Sequence, residues 1–452
     1  MLLESLVNHP RFAARESDYI RWYPKSLTPF TGAAFAVAPR PNGVYVHVPF
    51  CDRLCRFCPF NKQATEKSDV DRFVRALLLE IDAYAAMCQS PGIEFIYFGG
   101  GSPSALQAKV LGQIVERIGA RFPLRPGLEI CAECHPTHLD KDYCRELKRQ
   151  GFTRISTGIQ SFDQAALERM GAQHAVADVH RAIESVGHVF GSVAIDLLFR
   201  CPGQSVGQWL AQLQQACGHA AVDHLSLYSL IAKDPDTQPP PEIEAEMTVL
   251  AHEFLVDRGF RHYASCASGG FDFSRPGRHS VYEERHWGAP QAEFLGLGPG
   301  ALGFVSGCTT VNGLGLDDYA LNLESGCLAV VSATGTDREE AMRRYFVLGV
   351  KTLEVPMAPF RQMFGVDPQQ QFAREFAELS DLGFGEVADD WLRLSPLGRL
   401  FVDSVSSVFF SASEADVPHP EEPQIRRVEV SVKRTRVRMA GTQAEPRATE
   451  AS

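Results

Sequence analysis

Residues 43–60 read GVYVHVPFCDRLCRFCPF, an apolar, β-branched run that ends in three closely spaced cysteines. Cys51, Cys55 and Cys58 follow a C-x3-C-x2-C spacing, so three thiolates fall within eight residues. Thiolates at such spacing bind soft metals, and iron–sulfur clusters are held by cysteines in this way. Structural zinc takes four closed ligands and usually paired C-x2-C knuckles. No second knuckle is placed to close this one. Three thiolates leave one iron of a [4Fe–4S] cluster without a protein ligand, and a small molecule can coordinate there. A zinc site or three unrelated buried thiols are the plainer alternatives.

Outward from this stretch, β-rich apolar runs recur at 44–50, 94–98, 128–133, 154–159, 193–199 and 224–230. Helical periodicity fills the gaps, most clearly over 69–88, where Phe73, Ala76, Leu77, Ile81 and Tyr84 share one face. Six strands alternating with helices predict a parallel sheet with right-handed crossovers. Periodicity alone does not separate an open doubly wound sheet from a barrel.

A chain of 452 residues accommodates a large catalytic domain and a smaller one. Its 45% hydrophobic and 22% charged residues are ordinary for a globular protein. No run of eighteen apolar residues predicts a membrane span, and the first residues do not read as a secretory leader. Twelve scattered cysteines do not form a disulfide framework, so a reduced, cytoplasmic setting is expected. A net charge of −11 argues against nucleic acid as a partner.

Chemistry-bearing residues gather at the predicted strand ends. FGGGSP at 98–103 follows the second strand, and its glycines let a ligand approach exposed N–H donors. Glu133 in EICAECHP ends the third strand. Strand alternation sends the neighbouring Cys131 and Cys134 to opposite faces, as structural thiols. Gln160 in STGIQSFD ends the fourth. Asp196 lies between Ile195 and Leu197 in the fifth and requires a hydrogen-bond partner. The sixth closes at Leu230–Ile231.

With YVHVPFC, C-x3-C-x2-C, GGG-S-P and GIQSF in this order, the chain from about Tyr19 to Phe410 resembles the radical S-adenosylmethionine (SAM) superfamily. Within it, the resemblance is to the oxygen-independent coproporphyrinogen III oxidase-like family. LGLGPGALG at 295–303 matches a glycine stretch of that family. The resemblance implies an α/β fold: a partial (β/α)6, TIM-like barrel with a small helical, winged-helix-like C-terminal domain. Chemistry is then expected at the C-terminal strand ends. The implied organisation is an N-terminal arm at 1–42, irregular or acting as a lid, and a core barrel at 43–265. A connecting segment covering the active site follows at 266–334, then a C-terminal domain at 335–412 and a disordered tail at 413–452.

The resemblance also implies the site. One [4Fe–4S] cluster would sit on Cys51, Cys55 and Cys58. SAM, as two molecules, would be held by Tyr45, Gly99, Gly100, Gly101, Ser102, Glu133, Gln160, Asp196 and Ile231. Gln160 would lie between the two and act in catalysis. An arginine common twelve residues beyond that glutamine is Ala172 here, followed by Gln173 and His174. Reductive cleavage of SAM to a 5′-deoxyadenosyl radical would draw on an electron donor such as flavodoxin or ferredoxin. The oxidases typically carry a fourth cysteine two positions beyond the third, where this chain has Phe60. Members with three cysteines transfer carbon units. The expected reaction is therefore methyl or methylene transfer to an sp2 carbon, cyclopropanation included. Porphyrinogen oxidation and a non-catalytic heme chaperone are the alternatives. Of the chaperones' HNxxYW motif, residues 282–287 keep only Trp287, and Tyr282 holds the place of the heme-ligating histidine. The substrate is expected to be a small aromatic, polyketide-like or tetrapyrrole molecule.

Overall fold

Twelve strands form one sheet in the computed structural model, which describes residues 2–14, 20–31, 35, 37–231, 237–265, 270–420, 425 and 428. The six predicted runs are its centre. They are β1 (Gly43–Val48), β2 (Ile93–Gly100), β3 (Leu124–Cys134), β4 (Arg154–Gln160), β5 (Val193–Phe199) and β6 (Val222–Ser229). Each neighbour pair from β1 to β6 is parallel. This agrees with the expected α/β barrel, whose helices cover the strands between crossovers.

The sheet continues beyond these runs at both edges. On one side β8 (Phe271–Ser274) pairs antiparallel with β6, and β7 (Arg261–Ala264) pairs antiparallel with β8 at the edge. On the other, β9 (Phe294–Leu297) pairs parallel with β1. There β10 (Leu302–Val305), β11 (Cys308–Asn312) and β12 (Val330–Gly335) continue it antiparallel. Five of the sheet's strands, β8 to β12, thus come from the segment expected to connect and cover, 266–334. The glycine stretch makes this tight approach possible. Gly298 has φ +97°, and a Cβ there would lie 2.3 Å from the main-chain oxygen of His47 on β1.

The clearest predicted helix is α1 (Lys67–Met87), which buries Phe73, Ala76, Leu77, Ile81 and Tyr84 against the sheet. The other crossovers are α2 (Ala108–Arg121), α3 (Lys141–Arg149), α4 (Val176–Phe190), α5 (Val206–Gly218) and α6 (Pro241–Asp257). Their stops are local: α4 ends at Gly191, in the left-handed region at φ +76°. Ser205 and Gln208 form a capping box that starts α5. The short helix α7 (Val281–Trp287) follows β8, and α8 (Leu316–Glu324) packs on α1.

A C-terminal unit combines the helices Arg338–Gly349, Met357–Phe364, Ala373–Asp381 and Val402–Val408 with a three-stranded antiparallel sheet. Lys351, fully buried, joins Asp403 there, and its carbonyl accepts a bond from Ser265 N at 2.7 Å. The described part of the arm lies along this unit. Ser26 Oγ donates to Glu414 at 2.8 Å, and Phe30 N donates to Val331 O at 3.0 Å on β12. Residues 413–420 of the expected tail pack here as well, with a helix at Ala412–Ala415, while 429–452 lie outside the described residues. No helix among the described residues is long and apolar enough to cross a membrane.

Candidate functional site

The cysteine loop leaves β1 and returns through a two-residue parallel pairing of Phe50–Cys51 with Gln63–Ala64. Gln63 N bonds Pro49 O at 2.7 Å, and Thr65 N bonds Cys51 O at 3.1 Å. Lys62 Nζ closes the far side by donating to Cys58 O at 2.6 Å and Phe60 O at 3.2 Å. Asn61 ties the base to Pro299 O and Leu314 O, and His47 Nε2 meets Asn61 O at 2.9 Å. The loop is therefore pinned at both ends and open between them.

Within it, Cys51, Cys55 and Cys58 are half-buried neighbours. Burial, then the charge of Cys58, pushes the Cys51 thiol up to about 12, opposed by Lys62. Burial also raises Cys55, while the main-chain N–H of Gln173 favours its thiolate. The thiols are not drawn to bonding distance of one centre. Among the described residues, no group of three His, Cys, Asp or Glu stands so as to hold a metal ion. The donor set nevertheless fits an iron–sulfur group in kind: three thiols on one pinned loop, with a main-chain N–H directed at one sulfur. Gln173 lies next to Ala172, so the segment that lacks the family's arginine touches this loop through its backbone.

The glycine loop sits directly beside it. Gly101 N bonds Val48 O at 2.8 Å, and Ser102 N bonds Phe50 O at 2.7 Å. Gly100, at φ +104°, lies under the His47 ring, where a Cβ would come within 2.7 Å. A Cβ on Gly99 would lie 3.0 Å from Glu133 Oε2. At Gly100 the backbone conformation and the His47 ring thus favour glycine whatever the loop binds, while at Gly99 the contact is with the movable end of Glu133. Glu133 is buried, which raises its pKa, and it accepts from Tyr97 OH at 2.6 Å. Burial and then the charge of Glu133 push Asp196 up to about 7, and Ser156 Oγ is its partner at 3.4 Å. The partner required for Asp196 is therefore present, though weak.

Gln160 has φ +63°, in the left-handed region, where the β4–β5 register shifts between Thr157 and Gln160. Non-glycine residues held there store strain, and such strain clusters at functional sites. We expect Gln160→Gly to raise stability by about 0.5–1 kcal/mol through strain relief. The same variant should weaken SAM binding by the loaded protein, read by equilibrium dialysis beside a melting curve. A lower melting temperature would show that the Gln160 side chain is needed for folding. Ile231 stands apart from this group, 62% exposed beyond the end of β6.

Tyr45 belongs to an aromatic stack that sequence reading did not anticipate. Tyr282 from α7 stacks on Tyr97 with ring centres 4.2 Å apart and on Tyr45 at 5.9 Å. Beside it, burial and then Asp272 push Glu283 up to about 8, and Trp287 Nε1 donates to it at 2.6 Å. The position that replaces the chaperones' histidine is thus a half-buried ring stacked on Tyr45, one of the predicted SAM residues. Cys131 joins the cluster that holds Tyr97 and Phe95, while Cys134 faces Cys144 on α3, on opposite faces as strand alternation predicts.

Residues 45–204 match the radical SAM superfamily, and residues 336–401 match the HemN C-terminal domain. The heme chaperone HemW of Bacillus subtilis is 27% identical over 81% of this chain and 99% of its own length. The heme chaperone HemW of Escherichia coli is 31% identical over 59% of this chain and 71% of its own. Among solved structures, coproporphyrinogen III oxidase (HemN) of Escherichia coli superposes with a TM-score of 0.73 at 21% identity. That match covers 83% of this chain and 92% of the oxidase. These relatives overturn the expectation of methyl or methylene transfer. The expected roles of Cys51, Cys55, Cys58 and Gln160 concern the cofactor, not the molecule acted on, and such roles do not select a reaction.

Proposed function

We propose, since this chain belongs to the HemN/HemW-like family of the radical SAM superfamily, that it handles heme as a chaperone of the HemW kind. The observation that carries this reading is the match over 99% of the length of a heme chaperone. Phe60 supports it, since the site of the oxidases' fourth cysteine is here an apolar side chain, 59% exposed. Cys51, Cys55 and Cys58 would hold the [4Fe–4S] cluster, with Gly99–Ser102 and Glu133 against SAM. When bound, that pair supplies one-electron chemistry.

The tetrapyrrole needs its own ligand. Burial and neighbouring Glu283 hold the Tyr282 phenol far above its usual range, which disfavours a phenolate. His286, one turn further along α7, is kept neutral by burial, its pKa pushed down to about 3. Its Nδ1 meets Tyr282 OH at 3.0 Å, leaving Nε2 as the donor. Metal-binding imidazoles are commonly oriented through their second nitrogen in this way. Hemin titrated into the full chain should bind saturably at one per chain, and His286→Ala should lose the imidazole-ligated spectrum. Unsaturable binding would overturn the chaperone reading. Conversion of coproporphyrinogen III by the reduced, SAM-loaded protein would replace it with the oxidase.

A further inference from the structure

A chain of side-chain hydrogen bonds joins the glycine loop to the cysteine loop across their outer side. Ser102 Oγ and Ser104 Oγ are 3.0 Å apart, and Ser104 Oγ is 3.0 Å from His138 Nδ1. His138 Nε2 is 2.8 Å from Asp52 Oδ2, on the residue that follows Cys51. One arrangement of protons satisfies every member: Ser102 donates to Ser104, Ser104 donates to Nδ1, and Nε2–H donates to the carboxylate. The hub is fixed independently, because His135 N donates to Ser104 Oγ at 2.8 Å and Ser104 is 5% exposed. His138 itself is carried by the short turn Pro136–His138 after β3, with its side chain 22% exposed.

From this we infer that His138 is a positioning residue that holds the start of the cysteine loop in register with the glycine loop. The backbone bonds from Gly101 to Val48 and from Ser102 to Phe50 fix the inner side of this junction. They stop short of Asp52, where the loop departs. Between Asp52 and Phe60 the loop is held at Cys55 by the Gln173 N–H, at Phe57 by packing and at its end by Lys62, none of which reaches its first residue. His138 supplies a lateral tie at its first free residue. A tie of this kind sets where Cys51 lies relative to Ser102, and hence the spacing between whatever the two loops bind. His138 and Asp52 act through others and touch no reacting atom.

The inference rests on the reading that these loops hold the cluster and SAM, so the experiment has an arm that needs neither. Hydrogen–deuterium exchange of the apo-protein should run about fivefold faster in residues 51–62 of His138→Ala, with other segments unchanged. Asp52→Ala should do the same, and the double variant should be no faster than either single one. In the reconstituted protein, each variant should keep wild-type iron while SAM affinity falls about fivefold. The change that SAM causes in the reduced cluster's EPR spectrum should shrink with it. Additive effects, or unchanged exchange in both single variants, would overturn the tie. If His138→Ala does not fold, the exposed Asp52→Ala decides by the same measurements. Wild type that takes up no iron would defeat the cluster reading and leave the exchange result standing.

Discussion

Cys55→Ala should leave the reconstituted protein with background iron and sulfide, without the broad visible absorption of a cluster. Three thiolates are the smallest set that holds a cubane with one open iron, and this loop offers no spare donor. Phe60 occupies the position where a fourth thiol would stand, and Lys62 is engaged with the Cys58 and Phe60 carbonyls. Cys55 would be the middle ligand, and it is the thiol to which Gln173 gives its N–H. Its loss therefore removes a corner and the contact that positions it. Cys201→Ala is the matched control. That thiol is fully buried at the same end of the barrel, 3.4 Å from Met170 Sδ, in the cluster against which Phe57 packs. It should load like wild type. Equal iron in Cys55→Ala and wild type would sink the ligand assignment, and loss of iron in both variants would trace the effect to packing instead.

The parts of this site that were legible are those whose chemistry is local. The cysteine spacing, the glycine loop and the strand-end Glu133 each announce themselves within a few residues, and the parallel core follows from alternation of two periodicities. What escaped depends on residues far apart in the chain. Tyr282 reads as one apolar residue of a short polar helix, and only the fold packs it against both Tyr45 and Tyr97. The strands β9–β12 are only four to six residues long, so they carry no strong periodic signal. Reaction type escaped for a different reason. Residues that bind a shared cofactor say little about the substrate, and the segments that could contact one are loops or α7.

One further residue was readable and was passed over. On α1, the apolar stripe Phe73, Ala76, Leu77, Ile81 and Tyr84 runs through position 80, which holds a glutamate. An acid on the buried face of an amphipathic helix requires partners. Glu80 is fully buried and has three: Gly298 N at 2.9 Å, Asn312 Nδ2 at 2.7 Å and Tyr319 OH at 2.7 Å. It thereby joins α1 to the turn after β9, to β11 and to α8. These are the elements that extend the sheet past β1 and hold the base of the cysteine loop through Asn61.

Glu80→Ala should cost about 3–5 kcal/mol at pH 5, because it removes the acceptor of the buried Gly298 N–H and Tyr319 OH and one acceptor of Asn312, and opens a cavity. The cost should depend on pH in a fixed direction. Burial pushes the Glu80 carboxyl up to about 7, against the hydrogen bonds from Tyr319, Gly298 and Asn312. A carboxyl raised on folding stabilises the native state fully below its unfolded pKa near 4.5. That contribution is lost as pH rises through the folded value. A shift of this size corresponds to about 3 kcal/mol. The gap between wild type and Glu80→Ala in unfolding free energy from urea melts should therefore narrow by about 2.5 kcal/mol from pH 5 to pH 8. Glu133, Asp196 and Glu283 titrate in both proteins and cancel in the difference. Glu80→Gln, neutral at every pH, should follow the alanine variant in slope while losing less at each point. A gap that widens with pH would mean that the three donors hold a carboxylate, and that the hydrogen bonds outweigh burial at this position.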